Sequence, residues 1–314
     1  MRSFTIRIVI FALIVAAIAA LPLLDEPYYV KSATRALIFG MAALALDLVV
    51  GYGGLISFGH AAFLGIGAYV TGILAQNGID NALVAWPIAM MVAAIFAVIV
   101  GVLSLRTSGI YFIFVTLGFA QMIYYVAKSS RQYGGDDGFA LAASSRLPFG
   151  LNLGDTNTLF YTVLVLLGII LFIAHRIVSS RFGRVIQGVR DNARRARSIG
   201  INGYPYQVVL FSISGALTGL AGALLANVSS YIEPSQMSWI QSGELLMMVI
   251  LGSAGTLLGP VLGAAIFIFF EQILSALTSH WMLILGPLLV ARVLFLHDGF
   301  YGLLVGRGAS VHTH

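Results

Sequence analysis

The chain has 314 residues, 59% of them hydrophobic and 9% charged, and a mean hydropathy of +0.97. One soluble core of this size cannot hide so much apolar surface from water, so composition excludes an ordinary soluble domain and indicates a membrane protein. The absence of cysteine excludes disulfides and thiolate metal sites, the six histidines are too scattered for a metal cluster, and the net charge of +5 is not laid out as a basic face with interleaved aromatics, which argues against nucleic acid.

A hydrocarbon core of roughly 30 Å needs about 20 apolar residues of helix. Runs of this kind fall at 4–24, 34–51, 58–76, 83–105, 109–127, 157–178, 206–229, 243–254, 257–277 and 281–296. The eighth is too short to cross alone, which predicts a broken or re-entrant element. The fold expected is an all-α polytopic helical bundle of eight to ten transmembrane segments, a single domain over 1–314. The first run follows Arg2 and Arg7 and contains Ala17-Ile18-Ala19, which mimics a signal-peptide cleavage site; the spans that follow favour an uncleaved anchor. Lys and Arg accumulate on the cytoplasmic side, so Arg2 and Arg7 put the N-terminus inside. Counting spans then puts 128–156 outside and 179–203 inside, with Lys31 and Arg35 against the rule.

Near the second and third runs, LVVGYGGLISFGHAAFLGIGAY from Leu48 has a later counterpart, VILGSAGTLLGPVLGAAIFIF from Val249. Each joins two apolar runs through Gly-x-x-Gly, Gly51 with Gly54 and Gly252 with Gly255, and the second continues to Gly259. Such interruptions in two halves point to broken helices lining a pathway, where free backbone N–H groups at a half-helix N-terminus meet a substrate carboxylate. The competing explanation is that the glycines allow close helix packing. Ser57, Gly59 and His60 adjoin the first break, and His60 is either a satisfied interhelical bridge or a substrate ligand. Asp47, Glu244, Glu271 and Arg292 lie in or beside spans without regular spacing, which favours structural pairing over a proton relay.

The loop 128–156 contains Gly134-Gly135-Asp136-Asp137-Gly138, a turn composition that lacks the alternating ligands of a calcium loop. Further on, RFGRVIQGVRDNARRARSIG from Arg181 holds six arginines. Val185, Val189, Ala193, Ala196 and Ile199 recur at steps of four, four, three and three, predicting one amphipathic helix capped by Gly200, with Asp191 and Arg195 paired four apart. Anionic lipid and a groove on a partner protein are both compatible with such a helix. No phosphate-cradling loop occurs, so the chain itself should not hydrolyse ATP. Nor is there the convergent nucleophile and base that a membrane-embedded enzyme would need.

Four ordered blocks resemble the permease subunits of bacterial ABC importers of the branched-chain amino acid type, in particular the LivM-type subunit. They are GLISFGHAAFLGIGAY from Gly54, LRTSGIYFIFVTLGFAQ from Leu105, FGRVIQGVRDNARRARSIGIN from Phe182 and LGSAGTLLGPVLGA from Leu251; GGDDG and SGALTGLAGALLA are also similar, so the likeness runs from about residue 35 to 303. The resemblance implies an ATPase-coupling segment at 179–203, with Arg184, Val185, Val189, Arg190, Asp191, Ala196, Ile199, Gly200 and Ile201 at the contact. It implies a translocation pathway at Gly51, Gly54, Ser57, Gly59, His60, Gly252, Gly255 and Gly259, and a binding-protein contact at Gly134 to Gly138. The family's coupling run is often Glu-rich, as in R-E-N-E-R-A-A, whereas residues 190–196 here read RDNARRA, as in a subunit matched to its own ATPase. The partners implied are a second homologous permease, two cytoplasmic ATPases that use ATP and magnesium, an extracytoplasmic solute-binding protein and lipid. This chain would bind no cofactor and catalyse no reaction. It would sit in the bacterial inner membrane and move branched-chain or other amino acids inward by alternating access. A urea or short-amide importer, or an ion- or proton-coupled carrier acting without an ATPase, are the alternatives.

Overall fold

The structure, a computed structural model, describes residues 22, 26–148, 151–278, 280 and 282–287. The expected span 4–24 lies almost wholly outside the described residues, as do Arg292 and much of 281–296. Among the described residues the chain forms α1 (Pro27–Asp47), continued by a π-helical turn (Leu48–Tyr52), then α2 (His60–Gln76), α3 (Ala82–Ser104) and α4 (Ile110–Ser129). There follow β1 (Phe139–Ala140), α5 (Thr156–Ser179), α6 (Arg181–Asp191), α7 (Ala193–Ser198), α8 (Gly203–Ser229), β2 (Tyr231–Ile232), α9 (Trp239–Gly252) and α10 (Gly259–Leu277).

Six of these helical stretches, all but α2, α6, α7 and α9, are long and apolar enough to cross a membrane. The 14 residues of α9 reach only about 21 Å at 1.5 Å per residue, as its shortness in the sequence predicts. It begins at Trp239 rather than near 243 because the Ser238 side chain caps it, accepting from the Gln241 amide at 3.3 Å. Likewise α1 begins earlier than its apolar run, with Pro27 in its first turn. Arg35 is accommodated there by Glu271 of α10 at 3.2 Å and by the Phe39 ring. Asn81, Asp155, Ser180 and Asn202 cap α3, α5, α6 and α8 in the same way. At Asp155 the hydroxyl and amide of Thr158 both donate to the carboxylate and hold its pKa below the usual carboxylate range.

The two ends of the 27-residue α8 define the two faces. At one end β2 pairs antiparallel with β1, Phe139 opposite Ile232. Here too the last turns of α2 arrive, with Gly72 against Ile232 and Phe139. At the other end lie α6 and α7, and Tyr204 Oη donates to the Val102 carbonyl near the end of α3 at 2.7 Å. The loop 128–156 and the arginine segment are therefore on opposite faces, as the span count requires. Helices α1 and α8 form the centre, with 78% and 72% of their apolar windows buried, against 22–33% for α3, α4, α5 and α10. The outer helices turn Leu83, Met91, Ile95, Val165 and Phe172 outward, the apolar belt that lipid solvates.

At the centre, backbones touch. A side chain on Gly67 would collide with the Gly219 carbonyl, and one on Gly222 with the Leu64 carbonyl, so α2 and α8 pack without intervening side chains. On the next face of α8, Gly215 and Gly219 receive Ala97 and Ala93 of α3. Gly222→Ala must push α2 from α8 and is expected to cost about 1–3 kcal/mol. Gly168→Ala, with nothing near its missing Cβ, should be neutral or slightly stabilising. Thermal unfolding in detergent compares the two, and equal melting temperatures would refute the close-packing account.

Candidate functional site: two glycine breaks beneath the arginine segment

The two Gly-x-x-Gly segments form matching breaks. In the first, α1 widens into the π-helical turn, Gly54 adopts φ of +68°, and α2 starts at His60. In the second, α9 stops at Gly252, Ser253 and Gly255 take φ of +101° and +77°, and α10 starts at Gly259. The second glycine of each pair supplies the left-handed conformation. The first serves close approach: a Cβ on Gly252 would strike the Gly259 carbonyl, and one on Gly51 would strike both the Asp47 carboxylate and the Gly255 amide. Chain breaking and close packing, alternatives in the sequence, are divided between the glycines.

The breaks meet. Asp47, fully buried at the end of α1, accepts from the Gly255 amide with Oδ1 at 2.8 Å and Oδ2 at 3.1 Å. Arg190, in the last turn of α6, donates from Nη1 to the Gly51 carbonyl at 2.6 Å, and its methylene stem covers Gly54. The rest of the guanidinium pairs with Asp191 at 3.0 Å. In the sequence Asp47 is one structural acid among several; in the fold its partner is 208 positions away.

Around the start of α2, polar groups are paired internally. Ser214 donates its one hydroxyl proton to the Ala45 carbonyl at 2.5 Å, so its oxygen accepts from His60 Nε2–H at 2.8 Å. The other ring nitrogen, Nδ1, is then the acceptor for the Ser57 hydroxyl at 3.2 Å. Phe63 and Phe211 pack edge-on against the imidazole. His60 is thus a bridge between α2, α8 and α1. The nearby amides are taken as well: Phe58 N–H donates to Thr116, Gly59 N–H to Ser57 and Ala61 N–H to Ser242, each at 3.2 Å. With the Gly255 amide held by Asp47, none of these donors faces an open space. The amides of Phe58, Ala61 and Gly255 are thus taken up by side chains of the protein rather than left for a substrate carboxylate, whereas no side chain caps the start of α10.

The arginine segment also departs from expectation. It is two helices: Asn192 leaves the helical region at φ −158°, ψ 93°, and its side chain caps α7 by accepting from the Arg195 amide. Asp191 consequently pairs with Arg190 rather than Arg195. The apolar stripe is not continuous and faces the chain's own bundle. Val189 packs on Gly203, Ile186 and Ala196 are buried, and Val185 is half-buried, while Ala193 is exposed and Ile199 is 71% exposed. Gly200, at φ +84°, caps α7 as predicted, with the Ile201 amide bonded back to Ala196. Arg184, Arg194, Arg195 and Arg197 line the open side.

On the opposite face Gly134, Gly135 and Gly138 all have positive φ and form the expected turn. Asp136 pairs with Lys128 at 2.9 Å, and the Asp137 carbonyl accepts from Tyr231 Oη at 2.6 Å, tying the turn to β2. Among the remaining acids, Glu271 holds Arg35 and Glu244 accepts from Gln241.

Gly51→Ala should dislodge Asp47 from Gly255, leaving a buried acceptor and donor unpaired at a cost of about 1–3 kcal/mol. Asp47→Ala removes the same contact, so in a double-mutant cycle the two losses should overlap by about 1 kcal/mol or more. Unfolding midpoints that simply add would disprove the clasp.

Residues 28–293 match the family model for the branched-chain amino acid transport system permease component. The high-affinity branched-chain amino acid transport system permease protein LivM of Salmonella typhimurium strain LT2 is 27% identical over 93% of this chain and 74% of its own length. LivM of Escherichia coli K12 is 26% identical over the same shares. The autoinducer 2 import system permease protein LsrC of Photorhabdus laumondii is 30% identical, over 41% of this chain and 38% of its own length. No solved structure gives a match. With apolar helices joined in this order and a family match over most of its length, the chain is a multi-pass membrane protein that belongs to the permease components of branched-chain amino acid ABC transport systems.

Proposed function

We propose that the chain is one transmembrane half of a binding-protein-dependent ABC importer that moves a small polar solute, foremost a branched-chain or other amino acid, inward by alternating access. The family match across residues 28–293 carries this reading. Its complement would be a second permease, two ATPases that use ATP and magnesium, and a solute-binding protein outside a bacterial inner membrane. The face bearing α6 and α7 would be cytoplasmic, since it gathers the arginines. The ATPase would seat on the exposed side of that segment, on Ile199 and the arginines around it. Val189 would support from behind. The turn at Gly134 to Gly138, held to β2, would receive the binding protein on the other face.

The solute is argued from two relatives. LivM is named for branched-chain amino acids and matches almost the whole chain, whereas LsrC is named for autoinducer 2 and matches less than half of it. The longer match favours an amino acid. Competition of leucine uptake by valine, urea, short amides and autoinducer 2 in proteoliposomes carrying the full complex tests the assignment; leucine uptake should depend on ATP and be inhibited best by valine. Uptake driven by an ion gradient in the lone chain, without ATP, would sink the importer reading in favour of a secondary carrier.

A second measurement concerns the coupling surface. Ile199→Asp should lower co-purification of the ATPase by about tenfold while the permease still folds. Val189→Asp should instead lose folded protein, because it buries a charge against Gly203. Undiminished ATPase binding by the Ile199 variant would point to a lipid-facing segment.

A further inference from the structure

Arg190 differs from the other arginines of its segment in where its charge goes. Its Nη1 bonds to the Gly51 carbonyl, 139 positions earlier, and its stem lies on Gly54, where an added Cβ would stand 2.5 Å from Arg190 Cγ. Gly51 in turn abuts both the Asp47 carboxylate and the Gly255 amide, and Asp47 grips that amide with both oxygens. Three remote segments, α6, the first break and the second break, are thus joined by one unbroken series of contacts. The last turn of α6 also seats Val189 on Gly203, so Arg190 reaches the Gly51 carbonyl from the turn that packs on the bundle.

We propose that Arg190 is a positioning residue that links movement of α6 to both glycine breaks at once, through the Gly51 carbonyl and the Asp47–Gly255 clasp. The inference rests on the reading of the chain as an ATP-driven permease. It withdraws Arg190 from the ATPase contact, where the family resemblance placed it, and turns it inward. The contact asks for an N–H donor at the end of a long stem, because its target is a single carbonyl oxygen. A π-helical turn suits such a target, since its carbonyls are not all committed to regular helical bonds.

The test uses the complete reconstituted complex and measures solute uptake, ATP hydrolysis and bound ATPase together. Arg190→Met keeps the stem over Gly54 and removes the donor to Gly51 together with the exposed ion pair to Asp191, which Asp191→Asn removes alone as the control. Arg190→Met should leave ATPase binding and hydrolysis within about twofold of wild type and lower uptake per ATP by about tenfold. Arg190→Lys restores a donor and should recover much of that loss, which a packing role would not produce. Unchanged uptake per ATP in Arg190→Met would overturn the proposal. So would a fall in uptake that merely tracks lost ATPase binding, since Arg190 would then be a docking contact. Absence of ATP-dependent uptake in the wild-type complex would be a different failure, of the importer reading itself.

Discussion

A peptide group in hydrocarbon has no water to turn to, and that requirement governs this molecule. Continuous helices meet it automatically, but among the described residues the two glycine breaks interrupt the helices where α6 of the arginine segment packs on the bundle. Each break releases donors and acceptors that must find partners nearby. The structure answers with side chains from other segments: Asp47 for the Gly255 amide, Thr116 for Phe58, Ser242 for Ala61, Arg190 for the Gly51 carbonyl. Because every such partner comes from elsewhere in the chain, satisfying the breaks also knits α1, α4, α6, α9 and α10 together.

Apolar attraction contributes little to joining helices in lipid, where the alternative environment is equally apolar. Dispersion at short range takes its place, and it needs small residues. The backbone contacts of Gly67 with Gly219, Gly222 with Leu64 and Gly263 with Met248 are of this kind. They fix α2 on α8 and α10 on α9, so the broken elements are carried on rigid supports. Polar bridges then set the register of those supports, as His60 does between Ser57 and Ser214.

Much of this was readable in the sequence. Apolar run length located the helices that are described, and the parity of the spans put the Gly134 turn and the arginines on opposite faces. The cap at Gly200 was legible and takes the left-handed conformation such a cap needs, whereas Gly54 and Gly255 stood out only as interruptions, their left-handed conformation shown by the structure. Periodicity went astray where it had to choose a wall. A stripe from Val185 to Ile199 shows that one side is apolar, but not whether it faces a partner or the chain's own bundle. It also passed over Asn192, whose side chain offers α7 a cap and so competes with helix continuation. The Asp47 clasp was illegible for a different reason. Nothing local distinguishes a carboxylate that will meet an amide 208 residues later.

The π-helical turn at Leu48–Tyr52 has a geometric meaning beyond the bonds it rearranges. It amounts to one residue inserted into α1, and one residue of α-helix is about 100° of rotation. Everything distal to it is set at an azimuth that an unbroken α1 could not deliver, the Gly51 carbonyl included. Length, rather than chemistry, is therefore what this stretch encodes: the same side chains one residue shorter would aim that carbonyl a quarter-turn away from Arg190.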